Sequence, residues 1–219
     1  MSENFLDRFQ KYARKGLEEL GLELPPETFE KLLQYFAHLK ELGRPLGLTA
    51  LEDPLDFAVK HLLDSLTILP HLPEGPLLDL GTGAGLPGMV VKIVEPEREI
   101  WLVDARKKPV SFLTFVNGAL GLPGTKIVQA TVGKNDPLPR DYFAGVVSRA
   151  TAELKTLWNL SKPLLRKDGR LIAMKGPKAQ KEIDALLKEE PALSIEAHPL
   201  RLPLTGDRRT IVVVRESPS

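Results

Sequence analysis

From Pro76 onward, short apolar runs alternate with helical stretches, and this alternation leaves the chain few folds to choose from. The runs "PLLDL", "EIWLVD", "TKIVQA", "FAGVVS" and "RLIAMK" read as strands. Helical patterns fall between them near residues 84–94, 106–120, 151–165 and 178–189. Strand–helix alternation of this kind predicts a mostly parallel sheet covered on both faces. The end of the chain breaks the rule. "LSIEAHPLRLPL" and "RTIVVVR" flank the turn "TGDR" with no helix between them, which predicts an antiparallel hairpin closing the sheet and brings the count to seven strands. Upstream, residues 3–20 place Phe5, Phe9, Leu17 and Leu20 at helical spacing. "PPETFEKLLQYFAHLKELG" predicts a second helix with proline in its first turn, and "EDPLDFAVKHLLDSLTILPHL" a third, ended by Pro70. The expected organisation is an α/β domain over residues 73–219 behind an N-terminal helical layer over residues 1–72.

Composition narrows the chemistry. The 219 residues contain no cysteine, which removes disulfides, Cys-ligated metal and thiol nucleophiles together, and no metal site is expected. The charged N-terminus "MSENFLDRFQKYARKGLEEL" resembles neither a secretory signal nor an anchor, and no apolar run is long enough to span a bilayer. The expectation is a cytoplasmic protein without a membrane partner. Thirty Lys and Arg against 29 Asp and Glu give a net charge of +1, so any nucleic-acid binding must come from local patches. Nothing calls for an obligate dimer, and a monomer is expected.

The candidate site begins at residues 76–96, "PLLDLGTGAGLPGMVVKIVEP", where a strand-like run breaks into Gly81, Gly83, Gly85 and Gly88 before turning helical. "GAGLPG" matches the G-x-G-x-x-G dinucleotide pattern, a weak signal by itself. Asp79 argues against a dinucleotide, because a carboxylate beside a pyrophosphate would repel it. S-adenosylmethionine (SAM) carries an ammonium and a sulfonium instead of phosphates, so the acid attracts it while the glycines let backbone approach. Asp104 ends the next strand-like run and is positioned to take the two ribose hydroxyls. The competing explanation is that both acids merely cap helices. A terminal reversed strand also suits a class I SAM-dependent methyltransferase better than a nicotinamide dehydrogenase.

The order of "VKHLLDSL", "LLDLGTGAGLPG", "LVDARKKPVSFL", "VVSRA", "MKGP" and "TGDRR" resembles the 16S ribosomal RNA guanine-N7 methyltransferases, also known as glucose-inhibited division protein B. The resemblance implies a class I SAM-dependent methyltransferase fold and methyl transfer from SAM to N7 of guanine 527 in 16S rRNA. It implies a partner in that RNA or the small ribosomal subunit. It places the cofactor against Asp79, Gly81, Thr82, Gly83, Gly85, Leu86, Asp104, Ala105, Ala130, Thr131 and Arg149. Arg149 and Lys175 become the candidate catalytic cations, and His61, Asp64, Lys108, Lys175 and Arg208 the candidate substrate contacts. For Arg149 and Lys175 the competing explanation is an ordinary ion pair at a strand end. For His61 and Asp64, three apart on one helix face, it is a tie between the helical layer and the sheet domain. The chain departs from the family pattern at Gly47, where asparagine is usual, at Pro109 beside the retained Lys108, and at Thr131 and Gly133, where R-x-E is usual.

Guanine N7 has a lone pair and no proton to remove, so such a transfer needs no general base. Two other functions stay open on the sequence: a methyltransferase for another RNA or a small molecule, and a SAM-binding, ribosome-associated module without catalysis.

Overall fold

The computed structural model describes residues 4–150 and 152–217. The start of the expected helix at Thr151 and the last residues, Pro218 and Ser219, lie outside the described residues. Helix α1 (Phe5–Glu19) begins at a reciprocal cap: Asp7 N–H donates to Asn4 at 3.0 Å, and Asn4 N–H donates to Asp7 at 3.3 Å. Helix α2 (Pro26–Leu42) starts on proline, whose missing N–H has no partner to lose there.

The third expected helix is interrupted. It begins as α3 (Pro54–Phe57), capped by Asp53, widens into a π-helical turn (Ala58–Leu63) and resumes as α4 (Asp64–Leu66). In the wide turn Asp64 N–H reaches the Val59 carbonyl, five residues back. Pro70 falls in a separate 3-10 turn, Leu69–His71, so it does not end the helix.

Seven strands follow: β1 (Leu77–Leu80), β2 (Ile100–Asp104), β3 (Thr125–Gln129), β4 (Phe143–Ser148), β5 (Leu165–Lys175), β6 (Leu193–Arg201) and β7 (Arg208–Glu216). Their order is β3-β2-β1-β4-β5-β7-β6. The first five are parallel, β7 runs antiparallel to β5, and β6 runs antiparallel to β7, as the hairpin pattern predicts.

Two of the connecting helices are shorter than expected. α5 (Gly88–Val94) starts late because the glycine turn consumes residues 81–87. After α6 (Lys107–Leu120) comes α7 (Leu154–Ser161), which stops before Pro163 because β5 already begins at Leu165. That early start brings a register shift between Phe143 and Gly145 of β4. α8 (Ala179–Glu189) matches its pattern.

Two apolar clusters sandwich the sheet. One joins Phe9, Leu32 and Phe36 of the N-terminal helices to Met89, Leu102, Phe112 and Ile172. The other joins Trp158, Ile183 and Leu186 of α7 and α8 to Leu78, Val146 and Leu171. Among the described residues no helix is long and apolar enough to cross a membrane. The strand order reverses between β1 and β4, so the crevice outside their carboxyl ends is where such a sheet takes ligands.

Candidate active site

One half of that carboxyl edge is built from β1, β2 and the glycine turn. Asp79 on β1 is 1% exposed, and its Oδ2 accepts from Thr82 Oγ1 and from Gly88 N–H, both at 2.7 Å. Gly88 opens α5, so the acid does cap a helix, as the competing explanation held. Its other oxygen, Oδ1, is buried with no partner. A side chain at Gly88 would not fit, because its Cβ would lie 2.6 Å from Asp79 Oδ2. Burial raises the Asp79 carboxyl to about 6, against the hydrogen bonds from Thr82 and Gly88.

Asp104 ends β2 and closes the turn from the other side. Its Oδ2 accepts from Gly83 N–H at 2.9 Å, and its Oδ1 accepts from Arg106 N–H at 2.9 Å. The Arg106 guanidinium forks onto both oxygens, at 3.1 Å and 3.2 Å. Burial pushes this carboxyl up, but the hydrogen bonds from Arg106 and Gly83 outweigh it and hold it below its ordinary range. Only Gly81 and Gly83 of the turn reach the surface; Thr82, Gly85 and Leu86 lie beneath and shape it. Gly81 adopts φ +71°, a left-handed conformation that glycine takes without strain. Ala130 follows β3 and donates its N–H to the Asp104 carbonyl at 3.1 Å, with exposed Ala105 and Thr131 beside it.

The helical layer props up this half. Tyr35 of α2 is fully buried and donates its hydroxyl to the Ala84 carbonyl, inside the turn, at 2.8 Å. Sequence reasoning counted this residue only among helical positions. A tyrosine on an apolar helix face carries a hydroxyl that needs a buried partner, and that was the available signal.

The other half is a buried charge cluster. Asp64, 2% exposed, accepts from Arg209 Nε at 3.2 Å and 3.3 Å, and Arg149 Nη1 lies 3.7 Å away. Burial raises the Asp64 carboxyl, opposed by Arg209 and Arg149. Arg149 also donates to the Lys60 carbonyl, in the π-helical turn, at 2.5 Å. His61 is nearly buried, with Nε2 at 2.8 Å from Thr49 Oγ1 and Nδ1 unpartnered. Burial and then the Arg149 charge lower its pKa to about 3, so it is neutral at physiological pH.

Lys175, at the end of β5, is 6% exposed and donates to the Ala152 carbonyl at 2.6 Å; it pairs with Glu182 at 2.8 Å. Those contacts match the ion-pair explanation more closely than a cation free for phosphate. Arg149 by contrast is partly exposed, and with Lys175, Lys178 and Arg209 it lines a cavity of about 510 Å³. The structure therefore brings His61, Asp64, Arg149 and Lys175 to one side of the edge. It leaves Lys108 exposed on α6 and Arg208 exposed on β7. Arg209, which the sequence reading passed over for Arg208, is the one that meets Asp64. Adjacent strand residues point to opposite faces, so only one of a pair of arginines can turn inward.

The comparisons with known proteins follow the same lines. A family model described as "GidB: rRNA small subunit methyltransferase G" matches residues 28–211. The chain is 40% identical over 187 residues to "Ribosomal RNA small subunit methyltransferase G" of Methylobacillus flagellatus, covering 85% of this chain and 90% of that protein. This chain belongs to the GidB family. A protein of the same name from a Marinomonas species is 36% identical over 93% of this chain and 96% of its own length. The chain also shares its fold with solved methyltransferases. A SAM-dependent methyltransferase from Aquifex aeolicus aligns with TM-score 0.57 at 19% identity, over 78% of this chain and 97% of that one. A putative S-adenosyl-L-methionine-dependent methyltransferase from Methanococcus maripaludis aligns with TM-score 0.57 at 15% identity, over 84% and 93%. The fold is thus the class I methyltransferase fold, with the antiparallel hairpin at one end of the sheet.

Proposed function

We propose that the chain binds SAM in the glycine turn and methylates N7 of guanine 527 in 16S rRNA, without a general base. The observation that carries this reading is the pairing of family membership with two carboxylates flanking the turn. The residues present suit SAM. Asp79 keeps one buried, unpartnered oxygen, and Asp104 sits at a strand end with its oxygens toward the turn. When bound, SAM supplies a sulfonium-borne methyl group open to in-line attack by a ring nitrogen.

The chain's own part is to hold the two partners. Asp79 and Asp104 favour the cationic and ribose ends of the cofactor, and Gly81 and Gly83 keep side chains out of its way. Arg149 reaches the cavity as a cation for the RNA backbone or the O6 edge of the base. A cation placed at the imidazole ring would oppose the charge that forms on 7-methylguanine. Lys175 acts as a positioning residue, holding the loop after β4 through Ala152 and Glu182. Holding the two reactants in line contributes roughly 7–11 kcal/mol. His61 is tied to Thr49 through Nε2, and the carboxylates of Asp64 and Glu182 to cations; a general base is not required, because the attacking nitrogen has no proton to lose.

The test is transfer of labelled methyl from SAM to 16S rRNA and to small subunits, followed by mapping of the modified nucleotide. Label at N7 of guanine 527 is expected. Label on another nucleotide would redirect the reading to a different RNA site, and SAM binding without transfer would leave a binding module.

A further inference from the structure

Phe115 of α6 is 50% exposed, the most exposed large apolar side chain among the described residues. Its ring meets His38 of α2 in an edge-to-face contact, with centroids 5.1 Å apart and planes at 80°. A lone exposed phenylalanine needs no explanation by itself; its position and its charged neighbours do. Tyr35, three residues before His38, is hydrogen-bonded into the glycine turn, so His38 lies about one helical turn along α2 from a residue that touches the candidate cofactor site. On α6, Lys108, Ser111 and Phe115 follow helical spacing along one face, and all three are exposed. Lys107 and Lys108 open that helix directly after Asp104, Ala105 and Arg106.

The charges on α6 have one sign: Lys107 and Lys108, with no Asp or Glu in the helix. Arg106 and Lys126, nearby in the chain, are already paired with Asp104 and Glu99. The acids of the facing helix α2 are Glu27, Glu30 and Glu41, so the cationic side of the patch is the α6 side. A protein partner covering Phe115 would look for further apolar surface, yet its exposed neighbours on α6 are Ser111, Thr114, Gly118 and Ala119. An aromatic ring held at its edge, about two helical turns from Lys107 and Lys108, suits an unpaired base and its phosphates. Single-stranded RNA is recognised in this way, by stacking on aromatic side chains along a basic track.

We propose that Phe115, with Lys107 and Lys108, docks an unpaired stretch of the RNA substrate on α6, outside the methyl-transfer site. The proposal rests on the RNA-methyltransferase reading and extends its substrate contact by a helix face. The probe is a fluorescein-labelled single-stranded RNA of mixed sequence, compared with its duplex, on the full chain and on Phe115→Ala and Phe115→Trp. Phe115→Ala is expected to weaken single-strand binding at least about fivefold, with SAM affinity and melting temperature unchanged. Phe115→Trp keeps the ring and is expected to bind as the unchanged chain does. Single-strand affinity within twofold in Phe115→Ala overturns the proposal. So does loss of self-association in that variant with RNA binding intact, which would assign the face to a second copy. Failure of the unchanged chain to bind SAM in calorimetry would instead count against the methyltransferase reading, leaving the RNA result to be judged alone.

Discussion

On the β1–β2 side of the strands' carboxyl edge, each charged group meets a partner close by in the chain. Asp79 reaches Thr82 and Gly88, and Asp104 reaches Arg106 and, 21 residues back, Gly83. On the β4–β5–β7 side, Asp64 meets Arg209 across 145 residues, and Arg149 meets Lys60 across 89. The first side uses its acids to shape a turn and keeps one Asp79 oxygen without a protein partner. The second spends its charges on one another in the interior, joining the helical layer to the far strands. The lesson is that charge at a ligand edge divides between holding the fold and holding the ligand.

The largest expected effect breaks the second side. Asp64→Ala leaves Arg149 and Arg209 without their buried counter-charge, a loss of about 3–5 kcal/mol. Melting temperature should fall by on the order of 10 °C, while SAM affinity of the folded variant stays within about twofold. Scanning calorimetry with titration below the transition measures both; an unchanged melting temperature would remove the distinction between the halves. Asp104→Ala tests the first side. Hydrogen bonds to a charged group are worth roughly 1.5–3 kcal/mol each, so SAM binding to the folded variant should weaken at least about tenfold, and melting temperature should fall as well because Gly83 and Arg106 lose their acceptor. Unchanged SAM affinity by isothermal titration would sink the assignment of the ribose end.

The smallest effect sharpens the role of Asp79. Its carboxyl, pushed up to about 6 by burial, ionises as pH rises through that value. Only the anion attracts the ammonium and sulfonium, so SAM affinity should fall below pH 6, by at most about tenfold per pH unit. Single-turnover methyl transfer at saturating SAM should stay flat from about pH 6.5 to 9, because no base must lose a proton. SAM affinity that is level from pH 5 to 8 would mean that Asp79 acts only on the turn.

The same contrast explains what could be read without coordinates. The seven strands, the hairpin and the glycine turn are local patterns, and each was legible in order. Asp79 and Asp104 stood out because an acid at the end of an apolar run is unusual. The roles of Tyr35, Arg106 and Arg209 were not legible, since each depends on a partner that only packing or a particular rotamer brings near. Helix limits at α5 and α7 were overrun because helical periodicity does not say where a turn or an early strand takes over.

The wide turn at Ala58–Leu63 sets a phase. Phe57, just before it, packs on Phe9 and Phe36 in the helical layer, whereas Asp64, just after it, faces Arg209 at the end of the sheet. One residue subtends about 100° in a regular helix. Deleting a single residue from the turn would therefore swing whatever lies beyond it by about that angle. The core contact and the ion pair could then no longer be satisfied by one rod. The extra residue is what lets a single segment address two surfaces, so its length is constrained more tightly than its composition.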